Sequence, residues 1–481
     1  MTTWTAICRR ADLGRKPLAV TVAGVALVLF RDSSGAARAL EDLCPHRGVP
    51  LSLGRVRRGN LQCAYHGWEF DGQGLCRLIP SDVEPTGARL TCRAFEAREV
   101  DGRIEVAMTD AGAGSRAGKR RARWAGPADN QALIDLVRAC PMKGSVEMYF
   151  DRAPDFFALC RLQGAGAKVA VVDDKVPGRI AAAGAIADFP AVYVDGKVRQ
   201  AAYACDLRVH PELRGGLLVK RIYDFMSAHS AEVGWDLGFT AIMKGNDAMA
   251  AVLEGKGAVV TYRHMATMRN FTVQFLLRKR PPKGISVRPA TEIDIPAMLD
   301  IWNRLQAGKH FAPVWTEASM RSLLDESRGL KIGDYSLAFR GDRLTGLLLA
   351  WRQEGFKRMV VLGFSPEMQR MRRWYNPLAR LLRLALIPGV GQAMPYFYAT
   401  HPCAETADDL RALYVDVYNR HRNPETLFFS TMLDTRDPLL PALDGFTTQH
   451  VDIELYLLDP LGKFADLAAS AKPCYFDPAI V

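Results

Sequence analysis

What the chain lacks narrows it first. Its ten cysteines are scattered over 481 residues, too sparse for a disulfide scaffold, so a clustered Cys/His set points to metal binding in a reducing compartment. There is no low-complexity tract, and 49% hydrophobic with 24% charged residues is a globular balance, not a disordered one. The opening MTTWTAICRRADLG lacks the positive-then-apolar layout of a secretory signal. The apolar run from Pro17 to Phe30 is shorter than the roughly 20 residues that a membrane helix needs. A cytoplasmic location is therefore expected. Histidine is scarce too: beyond His66 the closest two, His210 and His229, are nineteen positions apart (229 − 210).

The length, at roughly 100 to 200 residues per domain, leaves room for about three domains. The formal net charge of +11 could attract nucleic acid, anionic lipid, an acidic redox partner or a phosphorylated cofactor. No recognised nucleic-acid-binding fold and no basic strand interleaved with aromatics accompanies the charge, so nucleic acid is not an expected partner.

The most informative stretch runs from Glu41 to Cys76 and places Cys44-x-His46 and Cys63-x-x-His66 on either side of a sixteen-residue span, 47 to 62. Pro45, Gly48, Gly54 and Gly67 mark tight turns, and the flanking segments VTVAGVALVLF and ARLTCRAFEAREVDGRIEVAM alternate like strands of an all-β domain. Two thiols and two imidazoles on facing loops suit two kinds of centre. One is a structural Cys2His2 zinc site. The other is a [2Fe-2S] cluster with thiolates on one iron and imidazoles on the other, a one-electron relay at about −150 to +300 mV.

The ordered set Cys44-Pro45-His46-Arg47-Gly48, Leu51-Ser52-x-Gly54 and Cys63-x-Tyr65-His66-Gly67-Trp68, followed by Phe70-Asp71-Gly72, resembles the Rieske domain of ring-hydroxylating and demethylating oxygenases. The resemblance covers residues 1–110. It implies a [2Fe-2S] cluster with Cys44 and Cys63 on one iron and His46 and His66 on the other. It also implies a ferredoxin or flavin reductase as electron donor, with an acceptor that the sequence does not identify. Cys8, Cys76 and Cys92 match no ligand and read as small buried hydrophobes. A Rieske oxygenase usually carries a second, mononuclear iron on two histidines five positions apart plus a carboxylate. The histidine spacing here does not supply that pair.

Beyond a Gly-, Ala- and Arg-rich linker at 111–123, and a second basic join at 277–284, two stretches read alike: GPADNQALIDLV from Gly126 and RPATEIDIPAMLDIW from Arg288, offset by 165 (297 − 132). Asp195-Gly196 and Gly341-Asp342 mark a hairpin in each copy, and His210 and His401 fall at matching strand-to-helix junctions. The expectation is two α+β (α/β) domains, 124–280 and 285–481. The run from Val209 to Leu218, with Arg214, Gly215, Gly216 and Leu217, resembles the acyl-CoA pyrophosphate loop of the GNAT acetyltransferase superfamily. The anion would sit on backbone N–H groups at a helix start. Leu218 stands where the family carries Gly or Ala, and Leu253 where it often carries an acidic tyrosine. The resemblance puts Asp206 in the position of a general base; a solvated strand-end aspartate is the other reading. Tyr203 and Tyr223 read as core, and the second copy as degenerate.

These features define two candidate functions. The first is a Rieske electron-transfer domain fused to a CoA-dependent N-acyltransferase, using acetyl-CoA or another acyl-CoA and acting on a small amine. The alternative is a redox carrier or oxygenase component whose GNAT folds are a non-catalytic docking scaffold. Residues 368–392 set Leu378, Leu381, Leu382 and Leu386 among arginines, a pattern that suits an amphipathic helix on a membrane or partner surface; an ordinary core helix with an arginine face is the commoner origin of such a pattern, and membrane contact is not the expectation.

Overall fold

The computed structural model describes all residues except 1, 23–24, 46–48, 66, 81–90, 110–120, 165, 215–216, 247–248, 250–261, 326–327, 460–461 and 481. The chain divides into two compact units, Met1–Arg121 with Glu212–Arg221, and Ala122–Pro211 with Ile222–Val481.

The first unit is all-β in its N-terminal part. Strands β1 (Thr2–Arg9), β11 (Arg103–Thr109) and β10 (Ala97–Val100) form one sheet. β2 (Leu18–Val22), β3 (Val25–Arg31), β4 (Ala37–Glu41) and β9 (Ala94–Phe95) form a second. A third holds β5 (Arg55–Arg57), β6 (Asn60–Gln62), β7 (Glu69–Phe70) and β8 (Cys76–Leu78). Successive residues of a strand face opposite sides. The buried run of β3 therefore serves two cores: Leu27 and Leu29 pack with Ile104 and Val106, while Val28 and Phe30 pack with Leu61, Phe70 and the two candidate ligands Cys44 and Cys63.

The second unit is built on one twelve-stranded mixed sheet. Its spatial order is β12 (Ala122–Trp124), β14 (Lys168–Asp173), β15 (Ile180–Val194), β16 (Lys197–Val209), β17 (Leu237–Met243), β25 (Thr448–Leu458), β18 (Tyr262–Gln274), β24 (Phe428–Asp434), β23 (Tyr396–Ala404), β21 (Arg343–Trp351), β20 (Tyr335–Arg340) and β19 (Ser286–Pro289). A separate ribbon pairs β13 (Val146–Asp151) with β22 (Arg358–Phe364). Its helices are α1 (Asn130–Ala139), α2 (Phe157–Gln163), α3 (Leu218–Val233, which starts in the segment grouped with the first unit), α4 (Ile295–Gln306), α5 (Glu317–Leu323), α6 (Pro366–Leu381) and α7 (Ala407–His421). α4 buries Met298, Ile301 and Trp302 against Leu347 and Leu349, and α7 buries Leu413, Tyr414 and Val417 against Phe397 and Phe429.

The sheet repeats itself end to end. β16 runs parallel to β17, and β23 parallel to β24; the other ladders of the sheet are antiparallel. The last strand of each half crosses over, so β25 lies between β17 and β18, and β18 between β25 and β24. Side chains repeat with the fold: Arg123 grips Asp129 at 2.7 Å, and Arg288 grips Asp294 at 2.7 Å. In both cases the aspartate also accepts a backbone N–H three residues back, from Gly126 and from Thr291, at 2.8 Å. Both pairs obey the 165-residue offset (288 − 123; 294 − 129). The expected 124–280 and 285–481 segments are thus two halves of a single sheet.

Three expectations need correction. The equivalent of His401 is not His210: the ladders bulge between Ala183 and Ala185 opposite Arg208 and Cys205, and between Leu347 and Leu349 opposite Cys403 and Thr400, which matches Asp206 with His401. Both adopt a left-handed backbone, at φ 53° and 57°. The linker reaches into the sheet, since Ala122–Trp124 pairs with β14, a gain in hydrogen bonds that like charges did not prevent. And α6 is no core helix: Trp374 is 83% and Leu381 79% exposed. The hairpins are as expected, with Asp195 and Gly196 both at positive φ between Val194 and Lys197.

Candidate metal centre

Two closed turns build the site. Cys44 N–H donates to Val49 O at 2.9 Å, which closes the chain on itself between these two residues. Cys63 N–H donates to Trp68 O at 2.8 Å and Gly67 N–H to Cys63 O at 3.1 Å, closing a second turn between Cys63 and Trp68. Gly67 takes φ +71°, a conformation that only glycine adopts without strain, and an added Cβ would stand 3.2 Å from Pro80 Cγ. Gly54 answers a tighter constraint: a Cβ there would lie 1.9 Å from Gln62 O, so this close approach at the end of the β5–β6 ladder, beside the Arg55–Gln62 pair, excludes any side chain.

Side chains brace both loops. Asp42 accepts from Ser52 N–H at 2.7 Å and from the Ser52 hydroxyl at 2.6 Å. Gln62 accepts from Arg55 at 2.8 Å and donates to buried Glu69 at 2.9 Å. Asp71, of the Phe-Asp-Gly turn, accepts from Gln73 N–H at 2.9 Å, Leu75 N–H at 3.0 Å and Arg77 at 2.7 Å. Gly74 follows at φ +78°, where a Cβ would lie 2.0 Å from Cys92 O.

Cys44 and Cys63 are 1% and 3% exposed and share one apolar cluster with Leu51, Leu61 and Phe70, packed by Trp68. Buried thiols brought into one cluster by two turns fit a metal group that takes thiolates on one side, and the apolar surround fits a site that tunes potential through low dielectric. His46 and His66 lie outside the described residues, so no group of three or more His, Cys, Asp or Glu with metal-holding geometry occurs among the described ones. Cys92 is buried in the same cluster, and burial pushes its thiol up, as it does for the partly exposed Cys8 and Cys76. These three behave as packing residues, which are inert as thiols.

The second candidate site fares differently. Asp206 sits on the β16 bulge, not at a solvated strand end. Its carboxylate pairs with Arg152 at 2.9 Å, itself 2% exposed, and with Arg208. Burial alone would raise its pKa, but the two guanidiniums outweigh burial and hold it well below the carboxylate range. A carboxylate so stabilised is a poor proton acceptor, which corrects its reading as a base. Val209 ends β16 opposite Ala182, and Arg214 is exposed. Gly215, Gly216 and Leu253 lie outside the described residues. Leu217 is half-buried and Leu218 only 5% exposed at the first position of α3, where close approach of a phosphate needs a small residue. Tyr203 is buried, as expected, and Tyr223 half-buried.

The matching bulge in the second half points into the core. His401 receives or donates a 2.8 Å hydrogen bond with Tyr335, lies 3.3 Å from Asp477, and is flanked by the stacked Trp302 and Trp315 rings. The sequence reading missed this arrangement because Asp477 and Tyr335 lie far from His401 in the chain. The remaining histidines have other tasks: His264 pairs with Glu454, and His310 takes up Asp195 N–H at 3.2 Å and Ser470 at 2.9 Å.

Residues 3–94 match the family model of the Rieske [2Fe-2S] domain. The first unit therefore contains a Rieske [2Fe-2S] domain, of the kind found in Rieske oxygenases. Over 115 residues the chain is 40% identical to the oxygenase component of dicamba O-demethylase from Stenotrophomonas maltophilia, covering 23% of this chain and 34% of that protein. Over 67 residues it is 51% identical to 4beta-methylsterol monooxygenase from Methylococcus capsulatus (strain ATCC 33009 / NCIMB 11132 / Bath), covering 14% and 18%. A crystal structure of apo dicamba monooxygenase aligns with 26% identity over 39% of this chain and 70% of that chain, at a TM-score of 0.22. The chain thus spans about a third or less of these curated relatives' own lengths.

Proposed function

We propose that this protein is a cytoplasmic Rieske redox component, an electron carrier or oxygenase component, whose cluster is held by Cys44 and Cys63 on one iron and His46 and His66 on the other. When bound, such a cluster supplies one-electron transfer at a potential raised by its two neutral imidazoles. The chain's own residues do the positioning: the two closed turns bring Cys44 and Cys63 into one cluster, Gly54 lets β5 and β6 close up behind them, and the cluster of Leu51, Leu61, Phe70 and Trp68 keeps the thiol side dry. The observation that carries the reading is the burial of both thiols in one apolar cluster inside a segment that matches the Rieske domain. A ferredoxin or flavin reductase would supply the electron, as the kinship with oxygenase components supports. The duplicated sheet serves as a scaffold that binds or docks the acceptor.

The test is direct. Protein loaded with iron and sulfide should carry two of each per chain, give a rhombic EPR signal on reduction, and titrate between about −150 and +300 mV. Cys63→Ser should lose the signal. Zinc bound in place of iron, with no signal, would sink the reading.

Acyl transfer from an acyl-CoA to a small amine is the second reading. One feature favours it: β16 pairs with β17 only from Ala201 to Ala204, so the parallel strands part ahead of Val209 and Arg214. The arginine-bound Asp206 and buried Leu218 weigh against it. Calorimetric titration with acetyl-CoA decides: micromolar binding abolished by Gly215→Glu, Gly216→Glu would restore this reading.

A further inference from the structure

Helix α6 inverts the usual surface helix. Its inward side is fastened by polar groups: Arg372 Nε donates to Ile387 O at 3.1 Å, Asn376 donates to the same oxygen at 3.0 Å and accepts from Ile387 N–H at 2.9 Å, and the Tyr375 hydroxyl donates to Ala385 O at 3.2 Å. Ser365 caps the start, accepting Met368 N–H at 3.3 Å. The outward side is apolar: Met371 is 46%, Trp374 83%, Leu378 54% and Leu381 79% exposed. Steps of three, four and three residues put these four on one stripe. An exposed contiguous apolar stripe on a helix pinned in place marks an interaction surface.

Charge identifies the occupant. From Pro366 to Gln392 the chain has five arginines against one acidic residue, Glu367, which lies 3.8 Å from Arg370, and Arg370, Arg373 and Arg380 are exposed on the turns beside the stripe. A second copy would set these arginines against one another. The stripe stands on a convex helix about 24 Å long at 1.5 Å per residue, a shape that an interface of lipid headgroups and acyl chains receives without a complementary pocket. An exposed tryptophan beside arginines suits that interface, where amphipathic rings settle. No helix among the described residues is long and apolar enough to cross a membrane, so α6 would lie on the surface.

We propose that α6 docks the protein on an anionic lipid bilayer, with Met371, Trp374, Leu378 and Leu381 entering the acyl boundary and Arg370, Arg373 and Arg380 meeting headgroup phosphates. This amends the expectation of no membrane contact. Cosedimentation of the cluster-loaded full chain with phosphatidylcholine vesicles, with and without phosphatidylglycerol, tests it. Binding to the anionic vesicles should fall about tenfold in Trp374→Ser, Leu378→Ser, Leu381→Ser, and again in Arg370→Gln, Arg373→Gln, Arg380→Gln, while neutral vesicles bind weakly throughout. These side chains are exposed, so circular dichroism should show the fold intact. The tryptophan emission of the parent, less that of Trp374→Phe, should move to the blue on anionic vesicles. Equal binding by the serine variant overturns the proposal, as does no vesicle binding at all. So does a dimer, or a complex with an acidic protein, that the serine variant dissolves while vesicles fail to bind.

Discussion

Asp206 shows how a single residue's environment decides its chemistry. On the surface an aspartate before a Val-x-Pro loop is free to take a proton; here it is closed between Arg152 and Arg208. Breaking a buried ion pair leaves an uncompensated charge, at a cost of about 3–5 kcal/mol. Asp206→Asn should therefore destabilise the second unit by about that much, read as a shifted denaturation midpoint, because it leaves the buried Arg152 guanidinium without its counter-charge, and Arg152→Met somewhat less because Arg208 still pairs with Asp206. A base poised for catalysis would behave otherwise: Asp206→Asn would then leave stability unchanged and abolish a CoA-dependent activity. Cys44 and Cys63 could be found from sequence because each pairs with a histidine two or three positions away, and the turn residues around them are local. Asp206 could not be read that way, because its partner Arg152 comes from 54 positions back and meets it only once β16 has bulged.

Helix ends usually favour a charged histidine, since the dipole's negative end stabilises the cation. His421, the last residue of α7, departs from this. Burial, then the neighbouring Arg420 and Arg352, push its pKa down to about 4, and its ring lies 4.6 Å from that of Phe397. The folded state thus prefers the neutral ring. A histidine lowered in the folded state contributes stability that is present above the unfolded pKa, about 6.5, and lost as pH falls toward 4. The loss is at most about 3 kcal/mol and smaller after solvent screening, because the ring is only half-buried. His421→Gln should flatten the fall in stability between pH 6.5 and 4, measured by urea denaturation at several pH values; an unchanged slope would refute it. Elements whose signals are local were legible: the Asp-Gly hairpin of β15 and β16 and the similar opening stretches of both halves from Gly126 and Arg288. The orientation of α6 was not. Its apolar residues repeat at helical spacing whichever way they face, and only the hydrogen bonds of Arg372, Tyr375 and Asn376 to 385–387 turn them outward.

At the scale of the whole second unit, the duplication was visible in sequence through its 165-residue offset, but the sharing of the last strands was not, because strand order leaves no local trace. That sharing has a mechanical consequence. β18 has β25 on one side and β24 on the other, and both belong to the second half. β17 depends on β25 for its outer edge in the same way. Cut at the 277–284 join, residues 122–280 would expose a long apolar strand, including Phe271 and Val273, and an open edge along Phe239 and Ala241; such edges seek partners. Because the halves are equivalent, a second copy of the same fragment can supply the missing strand by exchange. We expect 122–280 expressed alone to be a strand-exchanged dimer or an aggregate, and co-expression with 281–481 to replace it by a one-to-one complex that co-purifies through a tag on either half. Size-exclusion chromatography with light scattering distinguishes these states. A cooperative, monomeric 122–280 would mean that its last strand folds back beside β17, and the two halves would then be separable domains after all.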